Sequence, residues 1–135
     1  MQTTSSILLV DDEPDLLDNL SLPLVMAGYR TVTARDGLEA LDILQTRPVD
    51  LILADINMPH MGGYQLYQRV RENPHWAAIP FLFLTGCRFL SDGEIRYGKA
   101  MGVDEYLVKP IRTEQLLLVV LSKCQSPPHN CLPNN

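Results

Sequence analysis

Asp11, Asp12 and Glu13 stand directly after the apolar run ILLV at 7–10 and just before Pro14. Asp55 follows a second run, LILA at 51–54; Thr85 follows FLFL at 81–84; Lys109 follows EYLV at 105–108. Each has an ordinary structural reading. An acidic cluster before a proline caps a helix and offsets its dipole. A lone Asp after a strand forms an Asx-turn, a threonine ends a strand, and a lysine is a solvated charge. In combination they describe different chemistry. Three carboxylates converging on one crevice repel, so either a pKa rises or a cation joins them. An oxygen-only cluster suits Mg²⁺, which keeps several waters and accepts phosphate oxygens. A neighbouring lysine and hydroxyl complete a phosphoryl-binding site.

That convergence requires particular elements. Short apolar runs at 7–10, 30–34, 51–54, 81–84 and 105–108 read as strands, and continuous apolarity over about four residues is what a strand covered on both faces needs. The stretches between them read as helices. Leu16, Leu17, Leu20 and Leu24 fall on one face of a helix that begins at Pro14, a tolerated first-turn position, and stops at Gly28. Pro23 lies inside it and predicts a bend. Leu38, Leu41 and Leu44 mark a second helix, and Leu66, Tyr67 and Val70 a third. A fourth is predicted over 92–101, weakened by Gly93 and Gly98, and a fifth over about 113–123. Five strands alternating with five helices predict an α/β domain with a parallel sheet covered on both faces. Such sheets bind ligands at the carboxyl ends of their strands, the edge to which four of the five strands bring a polar group.

With 135 residues the chain fits one domain: a folded unit over 1–123 and, over 124–135, a Pro- and Asn-rich flexible tail or the start of a linker. Eleven basic against sixteen acidic residues give a net charge of −5, which argues against direct nucleic-acid binding. No apolar run approaches the roughly 20 residues of a membrane span, and residues 1–6 lack the features of a secretion signal. Cys87, Cys124 and Cys131 form no metal-like pair and no even disulfide framework, so free thiols in a reducing, cytoplasmic setting are expected. His60, His75 and His129 have no ligand spacing, and Trp76 reads as a packed loop aromatic.

Four stretches carry a resemblance: ILLVDDEP at 7–14, DLILADINMP at 50–59 with MGG at 61–63, FLTG at 83–86, and GVDEYLVKP at 102–110. In this order and on these strands, they make residues 6–123 resemble a receiver domain of the two-component response regulators (CheY-like). The resemblance implies a flavodoxin-like, doubly wound five-stranded parallel sheet in the order 2-1-3-4-5. It implies that Asp55 accepts a phosphoryl group from the phosphohistidine of a sensor histidine kinase or a phosphotransfer protein. Asp12, Asp55 and the backbone carbonyl of Asn57 resemble the Mg²⁺ ligands, with Asp11 acting through water. Lys109 and Thr85 resemble the contacts to phosphoryl oxygens, and Lys109–Pro110 the family's cis peptide. Thr85 and Tyr106 resemble a switch pair in which the hydroxyl moves toward the phosphate and the aromatic turns inward. Such a protein catalyses its own phosphotransfer and autodephosphorylation without turning over an external metabolite.

Several features depart from, or add to, that pattern. The segment between Thr85 and Lys109 is slightly longer than in common receivers and includes Phe89 and Leu90; it is expected to carry the conformational change. Asn57 and Cys87 flank the site and are expected to tune the lifetime of the phosphoryl group. Six consecutive apolar residues, 116–121, exceed the stripe a packed helix needs. They suggest a surface, formed with the helix over 92–101, for a homodimer or an output partner. The competing classes are a phosphorylation-independent pseudo-receiver, a flavin or small-molecule binder, and a metal-dependent phosphatase. The last two are disfavoured by the two aspartates after the first strand and by Asn57, which stands where a phosphatase needs a second acid.

Overall fold

An uninterrupted run of Leu, Ile, Val and Phe in a strand must be covered on both faces, and the chain meets that demand with a sheet between two helical layers. The structure, a computed structural model, describes residues 5–86 and 105–124. In it β1 (Ser6–Val10), β2 (Arg30–Ala34), β3 (Leu51–Asp55), β4 (Phe81–Thr85) and β5 (Glu105–Val108) form one sheet in the order β2-β1-β3-β4-β5. Every pairing is parallel. This is the flavodoxin-like order expected. Four helices lie within the described residues: α1 (Pro14–Met26), α2 (Gly37–Thr46), α3 (Gly63–Glu72) and α4 (Thr113–Lys123). The helix expected over 92–101 and the tail beyond Cys124 fall outside them.

Strand periodicity divides the core in two. Leu8, Val10, Ile52, Ala54, Phe81 and Phe83 point to one face and pack with Ala40, Leu44, Leu66, Tyr67 and Val70 of α2 and α3. Ile7, Leu9, Leu51, Leu53, Leu82, Leu84 and Leu107 point to the other and pack with Leu17, Leu20 and Leu24 of α1 and Leu116 and Val120 of α4. β2 lies at the edge, and only Ala34 of its residues is fully buried.

The helices differ from expectation in detail. α1 begins at Pro14 and runs on through Pro23 to Met26, with Gly28 beyond it at φ 103°. Pro23 lies in the last turn, where few residues remain to be disturbed by its missing N–H. In α2 the buried face is Gly37, Ala40 and Leu44, whereas Leu38 is exposed. Gly37 takes that place because a Cβ there would lie 2.6 Å from the Met61 side chain. In α4, Leu118 and Leu121 remain exposed, as the excess of apolar residues suggested.

The start of α3 is pressed onto β3. A Cβ on Gly63 would collide with the Asp55 carbonyl oxygen and lie 3.0 Å from both Ile56 Cα and the Phe83 ring. The Gly63 N–H donates to the Ile56 carbonyl at 2.8 Å, anchoring the close approach. Gly63→Ala is therefore expected to destabilise the fold by about 1–3 kcal/mol through overpacking, measured by urea denaturation. An unchanged unfolding midpoint would show that α3 shifts freely.

Candidate functional site

The strand order reverses between β1 and β3, and there the carboxyl ends of the strands open into a crevice. Asp11 and Asp12 follow β1 directly, Asp55 ends β3, Thr85 ends β4 and Lys109 follows β5. Carboxylate oxygens of Asp11, Asp12 and Asp55 all lie within 4.8 Å of one another. Asp11 is fully buried and Asp55 only 9% exposed, whereas Asp12 faces solvent.

Asp11 is engaged at both oxygens. One accepts from the Glu13 backbone N–H at 2.9 Å and the other from Lys109 Nζ at 2.7 Å. Lys109 Nζ also lies 3.6 Å from Asp55 and 3.4 Å from Glu13. Its backbone is held in place, since the Lys109 N–H donates to the Thr85 carbonyl at 2.7 Å; the Lys109–Pro110 bond is cis. One ammonium thus serves three carboxylates, with the strongest contact to Asp11.

The electrostatics follow from that imbalance. Burial pushes the Asp55 carboxyl up to about 6; Lys109 pulls it down, Asp11 and Asp12 push it further up, and the Ile56 N–H favours the anion. Burial alone would lower the Lys109 pKa, but its hydrogen bond to Asp11 and the charges of Asp55, Asp11 and Glu13 prevail and raise it. Lysine therefore stays charged, and the cost of crowding falls on Asp55.

The donor set fits a hard cation: carboxylate oxygens only, with no imidazole or thiolate among them. Because both Asp11 oxygens are occupied, Asp12 and Asp55 are the carboxylates better placed for direct coordination. Asn57 is exposed in the loop after β3, two residues beyond Asp55. Thr85 is 2% exposed and pairs in register with Val108, one step beyond the Leu84–Asp55 pair. Tyr106 stands apart from the carboxylates, paired with Phe83 lower on the same ladder. Cys87, Phe89 and Leu90 lie outside the described residues.

Residues 7–121 match the response regulator receiver domain family. The chain belongs to that family. A Vibrio cholerae protein named "Probable cyclic di-GMP phosphodiesterase" is 42% identical over 106 residues, 78% of this chain but 23% of that protein. The chain likewise spans 44% of the length of a transcriptional regulator of Guillardia theta that is 34% identical to it. An uncharacterised 14.6 kDa protein of Leptolyngbya boryana is 33% identical over 92% of this chain and 95% of its own length. The solved structure of chemotaxis protein CheY4 of Vibrio cholerae superposes with a TM-score of 0.83 at 36% identity, covering 90% of this chain and 99% of that one. Receiver domains bind Mg²⁺ at an acidic pocket and interact with histidine kinases or phosphotransfer proteins. Among the described residues no helix is long and apolar enough to cross a membrane.

Two residues near this receiver's site were not singled out from sequence. Glu13 reads there only as part of a helix-start cluster, yet it faces Lys109. Tyr64 reads as an unremarked position of the third helix, yet its hydroxyl lies 2.9 Å from that of Tyr106. Neither pairing has a local sequence signal, because the partners are 96 and 42 residues away.

The raised Asp55 pKa has a consequence for stability. Between about pH 4 and 6 the native state holds on Asp55 a proton that the unfolded chain has released, so this group's contribution to stability falls as pH rises through that window. Without metal, Asp55→Asn should be more stable than the wild type by on the order of 1–3 kcal/mol near pH 7.5, and nearly equal near pH 4. Urea denaturation at the two pH values checks this. An equal difference at both would contradict it.

Proposed function

We propose that this receiver is a phosphoacceptor switch in which Asp55 takes a phosphoryl group from the phosphohistidine of a sensor histidine kinase or a phosphotransfer protein. The supporting observation is the Asp55 carboxylate at the strand edge, 3.6 Å from a lysine and within 4.8 Å of two further carboxylates. In this reading residues 1–123 are the receiver unit, and 124–135 a tail or linker.

At neutral pH a carboxyl titrating near 6 is mostly ionised, so Asp55 is available as a nucleophile. An Asp55 oxygen attacks phosphorus in line, the P–O bond forms as the P–N bond breaks, and the electron pair leaves with the imidazole nitrogen. Lys109 offsets charge on the phosphoryl oxygens, and the Thr85 hydroxyl donates to one of them. Mg²⁺ would be held by Asp12, Asp55 and the Asn57 carbonyl, with Asp11 acting through water, and when bound it supplies charge neutralisation for the phosphoryl oxygens. Asp11, by fixing Lys109, positions the cation rather than reacting.

Incubation with Mg²⁺ and acetyl phosphate should add the mass of one phosphoryl group, labile in alkali, to the wild type and none to Asp55→Asn. Lys109→Gln should slow the labelling by about 10²–10³-fold, the cost of removing one charge-stabilising donor. A wild type that gains no mass would instead fit an interaction module working without phosphorylation.

Output is proposed to run through α4 and β5, where Leu118, Leu121 and Val108 are exposed. Light scattering should show the molar mass doubling in the wild type with Mg²⁺ and beryllofluoride, and no doubling in Leu118→Asp. An unchanged wild-type mass would assign the surface to a different protein.

A further inference from the structure

Phe81, Phe83 and Thr85 alternate onto one face of β4, and Tyr106 lies on the same face of β5 as the register partner of Phe83. The Tyr106 ring lies 5.6 Å from that of Phe83 at 34°, turned toward α3. There its hydroxyl meets the Tyr64 hydroxyl at 2.9 Å, in a half-buried setting. Tyr64 is itself fixed. Its ring stands edge-on to Phe83 at 4.8 Å and 68°, and it follows Gly63, whose missing Cβ lets α3 approach β3 and β4 so closely.

We infer that Tyr64 is a latch for the switch aromatic: its hydroxyl holds Tyr106 turned toward α3 and thereby sets how far the receiver is biased toward its activated arrangement before phosphorylation. The inference rests on the reading of Tyr106 as a switch residue and adds what controls its resting position. The physical basis is a difference between two orientations. Turned toward α3, Tyr106 exchanges a water hydrogen bond for one to a pre-positioned phenol and stacks against Phe83. Turned out to solvent, it loses both, and the Tyr64 hydroxyl loses this partner. A net gain of this kind shifts a two-state equilibrium by about three- to tenfold. By linkage, whatever favours that arrangement also favours occupation of the phosphoryl site by up to the same factor. The latch lies on α3 and β5, away from the carboxylates, so it tunes the switch without touching the reacting atoms.

The test is Tyr64→Phe, which keeps the ring against Phe83 and removes only the hydroxyl. Without Mg²⁺ or any phosphate analogue, cross-relaxation between the Tyr106 and Phe83 ring protons should be strong in the wild type and weakened in Tyr64→Phe. With Mg²⁺, beryllofluoride should bind Tyr64→Phe about three- to tenfold more weakly. Tyr106→Phe should show a loss as well, and the double variant less than the sum of the two, because the changes share the Tyr64–Tyr106 bond. Unchanged ring contacts in Tyr64→Phe, or losses that add in the double variant, would overturn the latch. Tyr106→Ala isolates the underlying reading. If its backbone shifts respond to beryllofluoride as the wild type's do, the switch role of Tyr106 fails, and the latch with it; a lost response with intact Tyr64→Phe contacts sinks the latch alone.

Discussion

The structure turns on an imbalance of charge at one edge of its sheet: three clustered carboxylates, two of them buried, and, among the described residues there, one ammonium. Asp11 takes the best of Lys109 at 2.7 Å, and Asp55 is left with 3.6 Å. A buried carboxylate with a distant partner cannot remain anionic at no cost. The cost appears at Asp55, whose pKa rises, and not at Lys109, whose charge is reinforced. A site in this condition favours a further cation, in keeping with the Mg²⁺ that receiver domains bind at an acidic pocket. Its resting state is mildly destabilised in the way that functional sites commonly are.

Everything else in the fold serves that arrangement. The acids arrive on β1 and β3, neighbours at the point where strand order reverses, and the lysine arrives on β5, two strands further along. Lys109 Nζ reaches Asp11 from a backbone held to the Thr85 carbonyl at the end of β4. A slip in register of β4 or β5 would carry the ammonium away from the acids. The two apolar layers set that register, since moving a strand by one residue would exchange its inward and outward faces. Gly63 adds a second constraint. By letting α3 lie against β3 it brings Tyr64 to the aromatic group around Phe83, so the carboxylate edge and Tyr106 share one support.

Much of this was legible in the amino-acid sequence, for a physical reason. Strands buried on both faces have no option but continuous apolarity, so β1, β3 and β4 contain their runs and extend them by one residue, while the edge strands β2 and β5 match their runs without that double burial. The residues that follow those runs lie at one edge, which brings Asp11, Asp12, Asp55, Thr85 and Lys109 together. Helix faces were less legible. Leu38 fits the periodicity of α2 but is exposed, because Met61 packs onto Gly37 and decides which side turns inward. The inequality of Lys109's contacts and the Tyr64–Tyr106 bond were not legible, because each depends on distances between residues far apart in the chain.

Calorimetric titration of Mg²⁺ into the wild type and Asp55→Asn near pH 7.5 and pH 5.5 shows whether Asp55, raised chiefly by burial and further by Asp11 and Asp12, is relieved by a divalent cation. At a carboxyl titrating near 6, the proton competes with the metal for the same oxygens. The wild type should therefore show one site, bound about fourfold more weakly at the lower pH, with protons released on binding there. Asp55→Asn should bind far more weakly and show little of that pH dependence. A wild-type affinity independent of pH, or one that Asp55→Asn shares, would contradict it.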